Sequence, residues 1–207
     1  MVLVGMPDSP YVRRVAVSMK LMGLPFEHRQ VSVFRHIEQF RAINPVVKAP
    51  SFIADDGTVL MDSTLILDYV ESIAPPAARL MPQDPGERLA ALRLIGFAMA
   101  ANEKCVQVHY EETLRPPERR HAPWLERVTG QANAAFEELE VAVLEQGGRW
   151  FGGERPDAAD VAVAIAWRFS QYYVAREVPA KKYPALVAYS ARAEALPAFV
   201  AVPIDPL

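Results

Sequence analysis

The sequence predicts a small α/β domain of order β-α-β-α-β-β-α followed by an all-α domain. Three observations carry this. Short apolar runs suited to strands occur only within the first sixty or so residues. Segments of helical period alternate with those runs, then continue alone towards the C-terminus. The eighteen prolines fall mainly between periodic segments, so they punctuate the chain rather than disorder it.

At 207 residues the chain is long enough for one large or two small domains. It is 51% apolar and 23% charged, with a net charge of -3, a globular composition without the basic excess that nucleic acid attracts. No apolar run approaches the ~20 residues that cross a bilayer, and the first residues lack the pattern of a secretory signal. The single cysteine, Cys105, excludes an intramolecular disulfide and fits a reducing compartment. The reading is a cytoplasmic protein with no membrane or nucleic-acid partner. Its four histidines show no metal-ligand spacing, so no metal is expected.

Val2-Leu3-Val4 reads as the first strand. Apolar residues then fall at Val12, Val15, Ala16, Met19 and Met22, one face of a helix that Gly23 closes and Pro25 follows. Pro10 suits its first turn, where the missing N–H costs nothing. Ser9 therefore sits where a strand gives way to a helix N-terminus, a place of unpaired amides and positive dipole. A hydroxyl there can cap the helix or help hold an anion.

Phe26 to Val33 is the second strand candidate, parallel to the first through the helical crossover. His36 to Ile43 is a short helix ended by Asn44-Pro45. Two apolar runs, 50–54 and 58–60, flank Asp55-Asp56-Gly57, a hairpin signal. Asp62-Ser63-Thr64 opens another helix, with Asp62 as cap and Leu65, Ile66, Tyr69, Val70 and Ile73 on one face; Ala74-Pro75-Pro76 stops it. The first domain is thus residues 1–76, with 77–84 as linker and 85–207 as the helical domain.

In that second domain, 85–114 reads as a long helix with Leu89, Leu92, Ile95, Ala98 and Met99 apolar. The next, from 124 or 125 to 144, steps through Leu125, Val128, Ala132, Phe136, Leu139 and Val143, and Gly147-Gly148 ends it. A third covers 158–173. The tail, 183–200, is helical and interrupted at Pro197.

Four segments carry a family resemblance. Ser9-Pro10-Tyr11-Val12-Arg13-Arg14-Val15 resembles the Ser-Pro-aromatic-x-x-Arg-Val start of serine-type cytosolic glutathione transferases, the bacterial, tau, theta and zeta-like members. Asn44-Pro45-Val46-Val47-Lys48-Ala49-Pro50 is similar to their Asn-Pro-x-x-Lys-Val-Pro segment, whose last proline is cis. Asp62-Ser63 matches the acidic-Ser pair opening their third helix. Residues 153–160, Gly-Glu-Arg-Pro-Asp-Ala-Ala-Asp, resemble their capping segment, with Asp157 in place of the usual Ser or Thr. Each motif is weak alone; four in order, spanning essentially the full chain, are strong.

The resemblance implies a thioredoxin-like N-terminal domain, glutathione as co-substrate, and a homodimer. It implies that Ser9 donates a hydrogen bond to the glutathione thiolate and is not itself the nucleophile. Only a few per cent of a thiol of pKa ~8.5 is ionised at neutral pH, so a donor that favours the anion is what the chemistry needs. A serine there, unlike a cysteine, forms no mixed disulfide, which favours conjugation to electrophilic small molecules, with peroxidase activity at the side. The resemblance further implies that Asp62 and Ser63 hold the γ-glutamyl ammonium and carboxylate. The Ala49 backbone beside Pro50 would pair with the cysteinyl part, and Lys48 and Arg35 are candidates for the glycine carboxylate. Tyr11, Phe34, Cys105, His109, Tyr110 and Trp167 are candidates for the hydrophobic substrate pocket, with helix packing as the alternative reading of each. Asp160 reads as structural, pairing with backbone N–H groups.

Two other functions compete. One is a non-catalytic ligand- or protein-binding module on the same fold. The other is a glutathione-dependent isomerase or dehalogenase. The maleylacetoacetate-isomerase type carries a Ser-Ser-Cys-Ser run, which Asp8-Ser9-Pro10-Tyr11 does not match.

Overall fold

A computed structural model describes residues 1–204. Val2–Val4 forms β1, and its three residues set the width of the sheet. β2 (Glu27–Arg29) pairs parallel to it, with Leu3 opposite His28. β3 (Ser51–Ile53) pairs antiparallel on the other side, Leu3 opposite Phe52, and β4 (Val59–Met61) pairs antiparallel to β3. The order is β2-β1-β3-β4. The predicted strand 26–33 is thus cut to three residues, because β1 offers only three partners. The Asp55-Asp56-Gly57 turn is present, with Gly57 at φ +88°.

The pleat sends alternate side chains to opposite faces. Phe52 is fully buried and packs edge-on against Tyr69 of α3 (Ser63–Ile73), with ring centroids 6.0 Å apart. On the other face Val4 clusters with Val31 and with Phe40 of α2 (Ile37–Arg41). α1 (Pro10–Leu21) packs on α3 and β1. Gly5, at φ +141°, lies where α1 and the 44–50 loop converge: a Cβ there would stand 2.5 Å from a Val12 methyl and 3.2 Å from the Ala49 Cβ.

α1 is buried almost all round, Arg13 and Arg14 included, and not on the single apolar stripe that the spacing predicts. On α3, Ile66 and Val70 are buried as predicted, whereas Leu65 and Ile73 are exposed.

The chain divides into two compact units, Met1–Met81 with the segment from Leu196 onward, and Pro82–Ala195. The first break, between Met81 and Pro82, falls within residues 77–84. At the other end the division differs from a helical domain running through everything after 85: the segment from Leu196 groups with the first unit, while residues 183–195 stay in the second. The reason is Arg13: its guanidinium is buried and donates from Nε to the Val202 carbonyl at 2.8 Å, over the ring of Phe199 in α8 (Pro197–Val200). Buried charge is tolerated only with such partners.

The second unit holds α4 (Pro85–Thr113), α5 (Ala122–Glu145), α6 (Ala158–Tyr173) and α7 (Pro184–Glu194). α6 is buried along most of its length and packs on α4 and α7. The α5 positions predicted apolar are buried from Val128 to Val143. In α4 Ile95 and Ala98 are buried as predicted and the stripe continues through Ala91, Leu94, Ala101, Cys105 and Val108, leaving Leu89 and Leu92 exposed. Asp157 and Asp160 form a reciprocal capping box at the start of α6. Asp160 also accepts the N–H groups of Phe151 and Gly152, as its structural reading requires. Among the described residues no helix is long and apolar enough to cross a membrane.

Candidate functional site

Ser9 is the N-cap of α1. Its backbone is extended (φ -70°, ψ 124°), and its Oγ accepts the Val12 N–H at a long 3.4 Å. A hydroxyl that accepts from an amide keeps its own hydrogen to donate elsewhere. Cap and donor are therefore compatible roles.

The second group of predicted residues lies on the loop after α2. Buried Asn44 knits that loop: its Oδ1 accepts the Val46 N–H at 3.0 Å and its Nδ2 donates to Ser51 Oγ at 2.8 Å. Ser51 Oγ in turn donates to the Lys48 carbonyl at 2.9 Å. The Ala49–Pro50 peptide bond is cis, as the resemblance implies. Val47 holds φ +53°, a region that β-branched residues rarely occupy. The loop is tied down by side chains rather than by a ladder.

The third group opens α3. Asp62, at φ +74°, accepts the Thr64 N–H through Oδ1 at 2.9 Å and meets Lys48 Nζ through Oδ2 at 3.4 Å. Burial alone would raise its carboxyl; the Thr64 N–H and the Lys48 cation outweigh this and hold it below the ordinary carboxylate range. Ser63 is buried, and Arg14 Nη1 donates to its Oγ and to Thr64 Oγ1, each at 3.3 Å. Thus Lys48 and Asp62 are in contact, and Ala49 is brought against Gly5 just before the Ser9 turn. Arg35 lies on the exposed turn after β2, where Ser32 Oγ accepts the N–H groups of Phe34 and Arg35.

Of the pocket candidates, Tyr11 is half-buried and Phe34 exposed in the first unit. In the second unit, Trp167 is buried against Phe136 and Tyr183, with centroids 5.5 and 5.6 Å away, and belongs to the core packing. Cys105 is fully buried; burial, helped by the Glu177 carboxylate, pushes its thiol up to about 12, so it stays protonated. His109 packs tilted against Tyr173, with ring centroids 4.4 Å apart, and neighbours Tyr110, which is exposed.

Arg14, Asn44 and Ser51 are the site-building residues that pattern reading left without a role. Asn before Pro45 signalled a helix stop, and nothing local to Arg14 signalled that it would be buried.

The family model described as "Glutathione S-transferase, N-terminal domain" matches residues 3–78, and that for the corresponding "C-terminal domain" matches residues 122–192. A probable glutathione S-transferase from rice, GSTU6, is 29% identical over 203 residues, covering 92% of this chain and 82% of its own. A maleylacetoacetate isomerase from Pseudomonas aeruginosa is 28% identical over 156 residues, 72% of this chain and 71% of its own. The crystal structure of a glutathione S-transferase from Methylobacterium radiotolerans, in complex with glutathione sulfonate, superposes with a TM-score of 0.89 at 27% identity. It covers all of this chain and 96% of that one.

Proposed function

Because the chain belongs to the glutathione S-transferase family, we propose that it is a glutathione transferase that binds glutathione along its first unit and joins it to electrophilic small molecules. One observation carries the reading: Ser9 Oγ accepts the Val12 N–H, which leaves its O–H to donate to a sulfur anion at the N-terminus of α1. Hydrogen bonds to charged groups are worth roughly 1.5–3 kcal/mol, enough to lower a thiol pKa by one or two units at ~1.4 kcal/mol each. The thiolate attacks the electrophilic carbon, a C–S bond forms, and the leaving group departs with the bonding pair. Ser9 forms no bond to carbon.

The remaining candidates fit a tripeptide's groups. Asp62 suits the ammonium and Ser63 the carboxylate of the γ-glutamyl end. The Ala49 backbone suits the cysteinyl amide, and Lys48, with Arg35 as a further cation, the glycine carboxylate. Tyr11 and Phe34 in the first unit, and His109 and Tyr110 in the second, remain the candidates for contacts to the electrophile. A cytosolic homodimer with a detoxifying role accompanies this reading.

The test is retention on immobilised glutathione, followed by turnover of chlorodinitrobenzene by wild type and Ser9→Ala. Binding with turnover that falls at least tenfold in Ser9→Ala is expected. Binding without turnover favours a non-catalytic module instead. An isomerase is the second reading, motivated by the Pseudomonas relative; turnover of maleylacetoacetate without conjugation of any electrophile would select it.

A further inference from the structure

Arg14 lies on α1, 49 positions before Ser63 in the chain, and is only 5% exposed. Its Nη1 reaches both hydroxyls of the first turn of α3, Ser63 Oγ and Thr64 Oγ1, at 3.3 Å. A guanidinium carries five N–H donors and no acceptor, so towards Arg14 the Ser63 oxygen can act only as an acceptor. The hydroxyl hydrogen of Ser63 is then available to another acceptor. A carboxylate, which only accepts, is the complementary ligand. The same cation adds positive charge to a helix N-terminus whose first amides already favour an anion.

We propose that Arg14 is the positioning residue of the γ-glutamyl end of the site, fixing Ser63 as a donor and so making the start of α3 selective for the substrate's α-carboxylate. This rests on the glutathione reading above. Arg14 makes no contact with substrate in this scheme; it acts through Ser63. The charge persists at neutral pH, although burial, partly offset by the Asp62 carboxylate, pushes the guanidinium down to about 10. Asp62 and Arg14 thus divide the labour: a carboxylate for the ammonium, and a donor-locked hydroxyl for the carboxylate.

The experiment titrates calorimetrically glutathione and an analogue whose γ-glutamyl α-carboxylate is a carboxamide. The proteins are wild type, Arg14→Lys, Arg14→Met, Ser63→Ala and Arg14→Met/Ser63→Ala. Wild type is expected to prefer glutathione by about tenfold or more, the range for a hydrogen bond to a charged group. Arg14→Met and Ser63→Ala each lower that preference severalfold, and the double variant lowers it little beyond either single one. In steady-state kinetics the loss falls mainly on KM for glutathione. Equal weakening of both ligands, or additive losses in the double variant, overturns the assignment. If Arg14→Met does not fold, Arg14→Lys carries the same comparison, since a point charge cannot reproduce the planar fork. Wild type that binds neither ligand overturns the glutathione reading itself, which separates that failure from this one.

Discussion

Lys48 Nζ stands 3.4 Å from Asp62 Oδ2, so two residues proposed for opposite ends of glutathione are paired with each other. Both side chains are about half exposed, 52% and 43%. An ion pair so placed is worth about 0–1 kcal/mol, which makes it easy to exchange for a ligand's own charges.

Asp62→Asn tests that exchange. It removes the counter-ion for an ammonium but keeps an oxygen that can cap α3, so the fold should persist. KM for glutathione is expected to rise about tenfold, with a smaller effect on an analogue lacking the γ-glutamyl amine. Initial-rate kinetics with both thiols decides. An equal change for the two thiols removes Asp62 from this role.

Ser9 makes a prediction in pH. In wild type, kcat/KM should rise with an apparent pKa one to two units below the ~8.5 of a free thiol. In Ser9→Ala the midpoint should move back up by about one unit, with a loss of about tenfold at pH 7. The thiolate absorbance of the bound complex gives an independent reading of the same shift. An unmoved midpoint would show that Ser9 is a helix cap alone.

At the start of α6 the sign of a pH effect follows from burial. Asp157 is buried beside Asp160; desolvation first, then the Asp160 carboxylate, raises its carboxyl well above the ordinary range. The folded state therefore holds a proton that the unfolded chain has lost, in the window between the unfolded and the raised values. Stability falls as pH rises through that window and is recovered on acidification. Asp157→Asn keeps an acceptor for the Ala159 and Asp160 N–H groups without the charge. Its Tm should exceed that of wild type at pH 8, and the difference should shrink towards pH 4. Thermal melts of the two proteins across that range measure it, and parallel curves would refute it.

Glu140 caps a helix that is not its own. Its two carboxylate oxygens accept the Ala185 and Leu186 N–H groups at 2.8 Å each, at the start of α7, which has no side-chain cap of its own. Glu140→Ala leaves both amides without that acceptor and should cost about 2–3 kcal/mol in urea unfolding. Glu140→Gln, with one acceptor oxygen remaining, should cost roughly half as much. A loss under about 0.5 kcal/mol for the alanine variant would mean that water replaces the carboxylate.

Local chemistry made much of the fold readable. Ser9, Asp62 and Asp157 cap the helices they were expected to cap, and the Asp55-Asp56-Gly57 turn joins β3 to β4, because caps and turns depend on side chains within three or four residues. Periodicity served less well where a helix is covered on several sides. On α1 it picked out one stripe, whereas β1, α3 and α8 bury nearly the whole helix. On α4 it included Leu89 and Leu92, which are exposed.

By itself the sequence determined which segments are helices and strands, where the chain turns, and which residue types stand at the starts of α1 and α3. Those choices rest on propensity, period and capping within a few residues. Only the tertiary structure decided which charges are buried and what they hold. Arg13 and Arg14 are adjacent in sequence and equally polar. One donates to the Val202 carbonyl, 189 positions away, and the other to the Ser63 hydroxyl, 49 positions away. A buried guanidinium is stable only where distant acceptors converge on it, and that convergence is a property of the packed chain.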